Sequence, residues 1–464
     1  MSKNNKFKML FSDLIIFAIG NIGSKAIMFL LVPLYTHYLL PEEYGVSDLI
    51  FTISQLAIPF FSIVIFDAVL RFGLYRKDRP QDVLLVGMIV WVIGSFVCLL
   101  CLNLLSLYKT ISEWKWHIII YISASILLDI ELNYLRVVNK KKMYAFMCIL
   151  QTFLMASLNI LFVAHLKLGI EGYVLSYVIS CVTVAFLIFV VANLYKELKN
   201  AVFDLSLAKD MVKYSAPLIL NNISWWVIQS SDKFILEILV GKAALGVYVV
   251  ASKIPSLLSV FITIFQQAWG ISSITEMDSS NDKNFYMQVF KIYSFFVFLV
   301  AIFLCIFIRP FMYIYITSKA YDKSSQFAPL LITGAVFYAI SGYCGSMYGA
   351  LKLSVNNMVT TLIAAITNLL ISCIAIIYIG VWGAVIGTVI SYMLLAFIRM
   401  INIDKLLNLS FDWRKLVTNS VLVLLEAIVV SFLKYKFIFI ISVFVIILFV
   451  IINLEEIKTM LKRG

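Results

Sequence analysis

The sequence predicts an all-helical membrane protein with about fourteen transmembrane helices. Composition, the length of the apolar runs and the distribution of positive charge support this fold class. Of the 464 residues, 62% are hydrophobic and 13% are charged, whereas an ordinary soluble domain carries roughly 25% charged residues. Most apolar runs are long enough for a helix to cross a hydrocarbon core about 30 Å thick. A water-soluble fold could not bury so much apolar surface.

The apolar runs, separated by charged or turn-forming residues, define the predicted spans. Lys3, Lys6 and Lys8 precede the first run, but no small-residue cleavage pattern follows, so we expect a retained helix rather than a signal peptide. The connections are short, and no extramembrane domain is expected. The predicted spans are 12–38, 46–70, 83–107, 117–137, 144–165, 170–193, 214–239, 244–272, 287–309, 326–351, 355–379, 381–402, 415–433 and 437–454.

Positive charge alternates between the two sides of this topology. With the N-terminus in the cytoplasm, most of the 37 lysines and arginines fall in segments assigned to the inside, as expected for a membrane protein. We therefore expect both termini to face the cytoplasm. The net charge of +12 has the same explanation, and nucleic acid is not an expected partner.

A sequence repeat divides the chain into two halves. The turn and helix start at 168–174 reappear at 379–385, and Gly45-Val46 has a weaker echo in Gly246-Val247. Such turns are common between apolar helices, but several matches in the same order favour a true repeat. Because the matched helices are six spans apart, the halves have the same orientation. The predicted domains are an N-terminal lobe (1–200), a C-terminal lobe (201–405) and two additional helices (406–464).

Sequence signatures of catalysis are missing. The chain contains no phosphate-binding G-x-x-x-x-G-K-[ST] loop, no G-x-S-x-G elbow and no H-E-x-x-H pair. Its three histidines are not spaced as metal ligands, and its seven cysteines lie inside apolar runs. We therefore expect a protein that is not an enzyme and that has no metal or cofactor.

Charged residues inside the spans are the candidate functional residues, because a charge near the bilayer centre costs at least about 2.5 kcal/mol and calls for a partner or a water-filled cavity. Several form polar stripes at helical spacing. Asp67 and Arg71 are four residues apart at the end of the second predicted helix, and Asp129, Asn133 and Arg136 share a face of the fourth. Boundary ion pairing, anchoring at the positive side and snorkelling of lysines are the structural alternatives. The remaining charged candidates are Lys25, Asp232, Lys233 and Lys253.

Several segments resemble the bacterial polysaccharide repeat-unit flippases of the O-antigen and capsule type. These proteins belong to the multidrug/oligosaccharidyl-lipid/polysaccharide exporter superfamily. The similar segments are LYTHYLLPEEYG at 34–45, YSAPLIL at 214–220, Asp232-Lys233, and GVY at 246–248 followed by Lys253. The resemblance extends from about residue 10 to residue 402.

The resemblance implies two six-helix lobes in a V around a central cavity that opens alternately to each side. It implies a cargo of undecaprenyl-diphosphate-linked oligosaccharide, moved from the cytoplasmic to the outer leaflet of the bacterial cytoplasmic membrane. We expect a monomer that works beside membrane lipids, a glycan polymerase and a chain-length regulator. The anion contacts would be Lys25, Arg71, Arg136, Lys233 and Lys253, and the coupling or ion-pair carboxylates would be Asp67, Asp129 and Asp232.

Two other functions remain open from the sequence. A drug/cation antiporter of the same superfamily should favour an acidic, aromatic cavity, and the excess of lysines over buried acids argues against it. A membrane-embedded glycan polymerase would normally carry a larger extramembrane loop than the gaps near 194–213 and 273–286. The identity of the glycan and of the coupling ion is left open.

Overall fold

The structure is a computed structural model, which describes residues 27–76, 78–101, 103, 106–279, 283–351, 353–433, 435–454 and 456. No strand occurs in these ranges. The helices are α1 (Val32–Tyr38), α2 (Pro41–Ser62), α3 (Ile65–Tyr75), α4 (Pro80–Leu100), α5 (Lys115–Val137), α6 (Lys141–Asn159), α7 (Gly169–Val191), α8 (Leu194–Lys199), α9 (Leu205–Leu239), α10 (Lys242–Lys253), α11 (Pro255–Ser279), α12 (Lys283–Tyr315), α13 (Ser324–Ala350), α14 (Ser354–Ile379), α15 (Val381–Leu407), α16 (Trp413–Phe432) and α17 (Tyr435–Ile452).

The predicted all-helical membrane fold is confirmed. Within the described ranges, ten helices are long and apolar enough to cross a membrane, and an eleventh span results if α10 and part of α11 count together. Shorter apolar helices occur at Ile27–Tyr38 and Phe437–Ile452. Helix α9 has 35 residues, but its polar residues make it too polar to count among these membrane-crossing helices. The predicted total of fourteen is therefore approximate.

Two predicted spans are broken into two helices each. The second span divides into α2 and α3 at Ile63 and Val64, which both have left-handed backbone angles. The eighth divides into α10 and α11, which meet at a bend of 43°. Pro255 opens α11 directly after this bend, as expected because proline cannot supply the N–H that would continue the preceding helix.

Residues 1–226 form one compact unit. Its central element is α5, which packs against α2, α3, α4, α6 and α7. The buried face of α5 includes Ile122, Ile126 and Ile130. Gly94 on α4 allows close helix packing, because a Cβ atom there would lie 2.0 Å from the carbonyl oxygen of Phe61.

Residues 227–464 form the second compact unit. Its central element is α13, which contacts α10, α11, α12, α14, α15 and α16. Most residues in the apolar stretch of α13 are buried inside the protein. In the same unit α16 packs against α12, α13 and α17. The side-chain amides of Asn419 and Asn453 form reciprocal hydrogen bonds of 3.2 and 3.1 Å between α16 and α17.

The repeated turns carry a glycine with nearly the same left-handed φ angle in the two units. Gly169, at the start of α7, and Gly380, directly before α15, have φ angles of +58° and +57°. Gly172 and Gly383, three residues later, pack closely on the chain that precedes each turn. A Cβ atom would lie 3.0 Å from the backbone of Phe162 at the first and 2.3 Å from the backbone of Ile376 at the second. The division between the compact units falls after Trp226, inside α9. The lobe boundaries at 200 and 405 stay a prediction.

Candidate functional site

The polar stripe on α5 forms a connected set of hydrogen bonds. Asn133 Nδ2 donates to the carbonyl oxygen of Asp129 at 2.9 Å, and Arg136 Nη1 donates to Asn133 Oδ1 at 3.0 Å. The Arg136 guanidinium also lies 5.7 Å from the ring centroid of Tyr144 on α6. The spacing therefore brings the side chains of Asn133 and Arg136 together, and Asp129 joins them through its backbone carbonyl.

Asp67 on α3 joins this stripe electrostatically. Its carboxylate interacts favourably with Arg136 and unfavourably with Asp129. Within the described residues, Asp67 and Arg71 form no ion pair. Three charged side chains from α3 and α5 thus come together in the N-terminal unit, in an arrangement with two acids and one base.

Arg71 contacts an aromatic ring instead of Asp67. Its guanidinium carbon lies 4.3 Å from the ring centroid of Tyr214, on the part of α9 that belongs to the N-terminal unit. The Arg71 residue is exposed. A guanidinium held over an aromatic face keeps its N–H groups at the edge of the plane, where they can donate to an oxyanion.

Asp232 is the most fully coordinated of the predicted site residues. It is buried, with 2% exposure, and its Oδ2 accepts hydrogen bonds from the hydroxyls of Tyr248 on α10 and Thr388 on α15, the latter at 3.1 Å. Oδ1 accepts from the backbone N–H of Lys233 at 2.9 Å. One carboxylate therefore links three helices of the C-terminal unit.

Further polar groups are buried beside Asp232 on the same helix. The hydroxyl of Ser231 donates to Asn368 Oδ1 on α14 at 3.0 Å. Neither Asn368 Nδ2 nor Ser372 Oγ has a hydrogen-bond partner within the described part of the chain. Polar atoms that are buried without partners are uncommon in folded proteins, which sets these two groups apart from the rest of the buried polar set.

Two of the three predicted lysines lie in the described part of the chain. Lys233 is half-buried next to Asp232, and Lys253 is the half-buried last residue of α10, directly before the bend. Lys25 lies outside the described residues. Where these three side chains act therefore stays a prediction.

Arg399 on α15 is a buried charged residue that the span pattern missed. It is 1% exposed and donates to Ser341 O at 3.0 Å, Thr360 Oγ1 at 3.1 Å and Thr361 Oγ1 at 2.9 Å. It also donates to the side chain of Asn357. Arg399 lies close to the predicted end of its span at 402. The polar positions Asn357 and Thr361 on α14 were the available signal.

Glu131 is a second buried charged residue outside the predicted set. It is fully buried on α5, and no donor among the described residues reaches either carboxylate oxygen. The sequence places it beside the Asp129 stripe but on a different face of the helix. Within the described ranges, no group of three or more histidine, cysteine, aspartate or glutamate side chains could hold a metal ion.

The fold is similar to that of several solved membrane transporters. A lipid II flippase, MurJ, in an inward closed conformation superposes with a TM-score of 0.72 at 16% identity, over 96% of this chain and 100% of that chain. An inward-facing multidrug resistance MATE family transporter of the MOP superfamily gives 0.67 at 16% identity, over 84% and 94%. A MOP superfamily transporter from Pyrococcus furiosus, described as having a binding pocket of reverse polarity, gives 0.64 at 16% identity, over 85% and 95%.

The sequence also matches a family model. Residues 10–271 match the model described as "Polysaccharide biosynthesis protein", which is more than half of the chain. No curated protein matches the sequence significantly.

Proposed function

From the premise that the chain belongs to the polysaccharide biosynthesis protein family and has the fold of MOP superfamily transporters, we propose that it is a lipid-linked oligosaccharide flippase. Its cargo is an undecaprenyl-diphosphate-linked repeat unit of a surface polysaccharide such as O-antigen or capsule. Alternating access moves the headgroup from the cytoplasmic to the outer leaflet of a bacterial cytoplasmic membrane. The protein works as a monomer and catalyses no covalent step.

The exposed, aromatic-backed guanidinium of Arg71 is the observation that carries this proposal. A diphosphate in hydrocarbon without compensating groups is strongly unfavourable, because a buried charge without partners costs far more than thermal energy supplies. Arg71 offers several N–H donors to such an oxyanion and has no ion pair with Asp67 to displace first. Lys25, Lys233, Lys253 and Arg136 are the other proposed contacts of the diphosphate and sugars.

The carboxylates have the second role in the proposal. Asp232, with hydroxyl donors from two other helices, is the proposed coupling group of the C-terminal unit, because binding of a cation at the carboxylate would change both hydrogen bonds. Asp67 and Asp129 have the corresponding role in the N-terminal unit. The carboxylates of Asp67 and Asp129 repel each other, and Arg136 offsets part of that repulsion. A change of charge nearby would therefore change how readily these carboxylates bind a cation.

Arg71→Ala tests the proposed anion contact in living cells. In a strain whose only copy of the gene carries this change, we expect surface polysaccharide to fall about tenfold, equivalent to about 1.4 kcal/mol, while lipid-linked repeat units accumulate on the inner leaflet. Arg414→Ala is the matched control, because Arg414 is exposed on α16 and is not a proposed contact. Normal polysaccharide at wild-type protein levels in the Arg71→Ala strain would contradict this role.

Deletion of the gene separates the proposed function from its alternatives. A flippase deletion should leave lipid-linked repeat units on the inner leaflet. Loss of a polymerase would let single repeat units reach the outer leaflet without being joined. Loss of a drug/cation antiporter would raise sensitivity to cationic drugs and leave these intermediates unchanged.

A further inference from the structure

The segment between α7 and α9 combines exposed apolar side chains with lysines. Val202, Phe203 and Leu205 are 56%, 50% and 59% exposed, and Tyr195 on α8 is 48% exposed. The segment lies between predicted spans and contains four charged residues at 194–205, so it is not part of a lipid-crossing helix. Lys196 and Lys199 are exposed on α8. Apolar and basic side chains side by side are typical of segments at a membrane interface.

Ion pairs and hydrogen bonds fix the backbone of this segment. Asp82, at the start of α4, accepts from the backbone N–H of Val202 at 2.8 Å and from Arg79 Nε at 3.1 Å. Arg76 Nη2 lies 3.0 Å from Asp204 Oδ2. The apolar side chains are therefore exposed on a segment that is held in place at both Val202 and Asp204.

Asp204 also caps the helix that follows. Its Oδ1 accepts from the backbone N–H and the hydroxyl of Ser206, at 2.9 and 2.7 Å, and from the N–H of Leu207 at 3.3 Å. The Ser206 hydroxyl, the Leu207 N–H and Arg76 lower the pKa of Asp204 to about 2. The carboxylate is therefore ionised at all pH values in which a cell lives, and the attachment of the segment does not depend on pH there.

The ion pairs of Arg76 and Arg79 neutralise part of the positive charge near this segment. Asp82 and Asp204 offset the charges of Arg76 and Arg79, whereas Lys196 Nζ lies 5.6 Å from the ring centroid of the exposed Tyr195 and Lys199 is exposed at the end of α8. A segment that exposes both apolar and basic side chains complements the boundary between acyl chains and anionic headgroups. The charge distribution of the whole sequence places this surface on the cytoplasmic side.

We propose that the segment 194–205 is a membrane-interface anchor that binds the anionic phospholipids of the adjacent leaflet. The side chains of Val202, Phe203 and Leu205 lie in the part of the acyl chains next to the headgroups. Lys196 and Lys199 contact lipid phosphates. Because Asp82 and Asp204 attach the segment to α4 and α9, anionic lipid would stabilise the position of the whole connection between α7 and α9. This inference does not depend on the proposed cargo.

A fluorescence experiment on the full-length protein in nanodiscs tests the anchor. The variant Phe203→Trp adds one tryptophan to the eight of the wild type, and bromine-labelled acyl chains quench tryptophans that lie among them. We expect additional quenching over the wild type in Phe203→Trp, and little in Asp78→Trp, an exposed polar position in the neighbouring α3–α4 loop. Leu205→Trp is the second reporter if Phe203→Trp folds poorly.

The lipid composition tests the role of the lysines. We expect the added quenching to be stronger in bilayers that contain phosphatidylglycerol than in phosphatidylcholine alone. The double variant Lys196→Gln with Lys199→Gln should remove this difference. The ratio of membrane-embedded to unembedded segment should fall roughly thirtyfold, since each basic residue near an anionic surface contributes about 1 kcal/mol. Lys141→Gln with Lys142→Gln, on α6, is the matched control.

Two results would overturn the proposal. An unquenched tryptophan in both reporter variants would show that the segment lies in water or against a protein partner. Quenching that is the same with and without phosphatidylglycerol, or unchanged by the Lys196 and Lys199 substitutions, would exclude binding of anionic lipid. No transport is measured, so either result leaves the proposed flippase function standing.

Discussion

Asp232 accepts charge-assisted hydrogen bonds inside the C-terminal unit, and removing one donor should be costly. In Tyr248→Phe we expect a loss of about 1.5–3 kcal/mol in the free energy of unfolding, the usual range for a hydrogen bond to a charged group. The measurement is thermal unfolding in detergent. Tyr313→Phe is the control, because Tyr313 is 88% exposed on α12. Equal melting temperatures of the two variants would mean that Tyr248 does not support the buried carboxylate.

Arg399 should not be replaceable by lysine. Its planar guanidinium donates to groups on α13 and α14 at once, and a lysine ammonium cannot match this arrangement. We expect Arg399→Lys to lower the free energy of unfolding by about 1–3 kcal/mol for each buried acceptor left unpaired. Arg414→Lys, at an exposed position, should have no effect. A melting temperature of Arg399→Lys equal to the wild type would refute the view that Arg399 joins these helices.

Sequence periodicity locates some of the contacts of the candidate site residues but not others. Helical spacing correctly placed Asn133 beside Arg136, because these residues share one face of one helix. The same spacing suggested a pair of Asp67 with Arg71, but the arginine contacts Tyr214, a partner from a distant part of the chain. Periodicity identifies the face on which a side chain lies and does not identify the element that packs against it.

At the scale of elements, the repeated turn predicts different costs for the same substitution in the two units. A Cβ atom at Gly383 would lie 2.3 Å from the backbone nitrogen of Ile376, whereas one at Gly172 would lie 3.0 Å from its nearest atoms. We expect Gly383→Ala to destabilise by more than Gly172→Ala, with overpacking costs of about 1–3 kcal/mol. The measurement is the melting temperature of each variant in the same detergent.

Gly349→Ala is the matched control for these two variants. Gly349 lies inside α13, and a Cβ atom there would meet nothing within 4 Å. Alanine should stabilise the helix by up to about 1 kcal/mol, because glycine has the poorer helix propensity. If all three alanine variants melted alike, the close packing at the repeated turns would have no energetic importance.

At the scale of the whole molecule, the last two helices should belong to the C-terminal unit rather than form an independent appendage. Helix α16 packs on α12 and α13. The carbonyl oxygens of Ser431 in α16 and of Leu433 directly after it accept hydrogen bonds from Arg309 at 2.9 Å each. A chain that ends after Asn408 leaves the Arg309 side chain without these acceptors. We expect this truncated chain to insert but to melt at a lower temperature. An unchanged melting temperature would show that α16 and α17 contribute little to the unit.

The sequence by itself determined the class of the fold and the order of its helices. In hydrocarbon every backbone N–H and C=O must be satisfied within the protein, so each long apolar run becomes a helix wherever it occurs. The turn at 168–174 and its copy at 379–385 likewise showed their similarity directly in the amino acids. These features depend on interactions between residues that are close in the chain.

The tertiary structure alone decided which polar groups meet. Thr388 contacts Asp232, Arg399 joins α14 to α13, and Val202 bonds to Asp82, although these residues are far apart in the sequence. The break at Ile63 and the burial of Glu131 were also beyond the apolar pattern, whereas Pro255 marks the break at Ile254 in the sequence itself. The physical reason is that hydrophobicity determines where a helix crosses the membrane, whereas side-chain packing between helices determines its rotation and its neighbours.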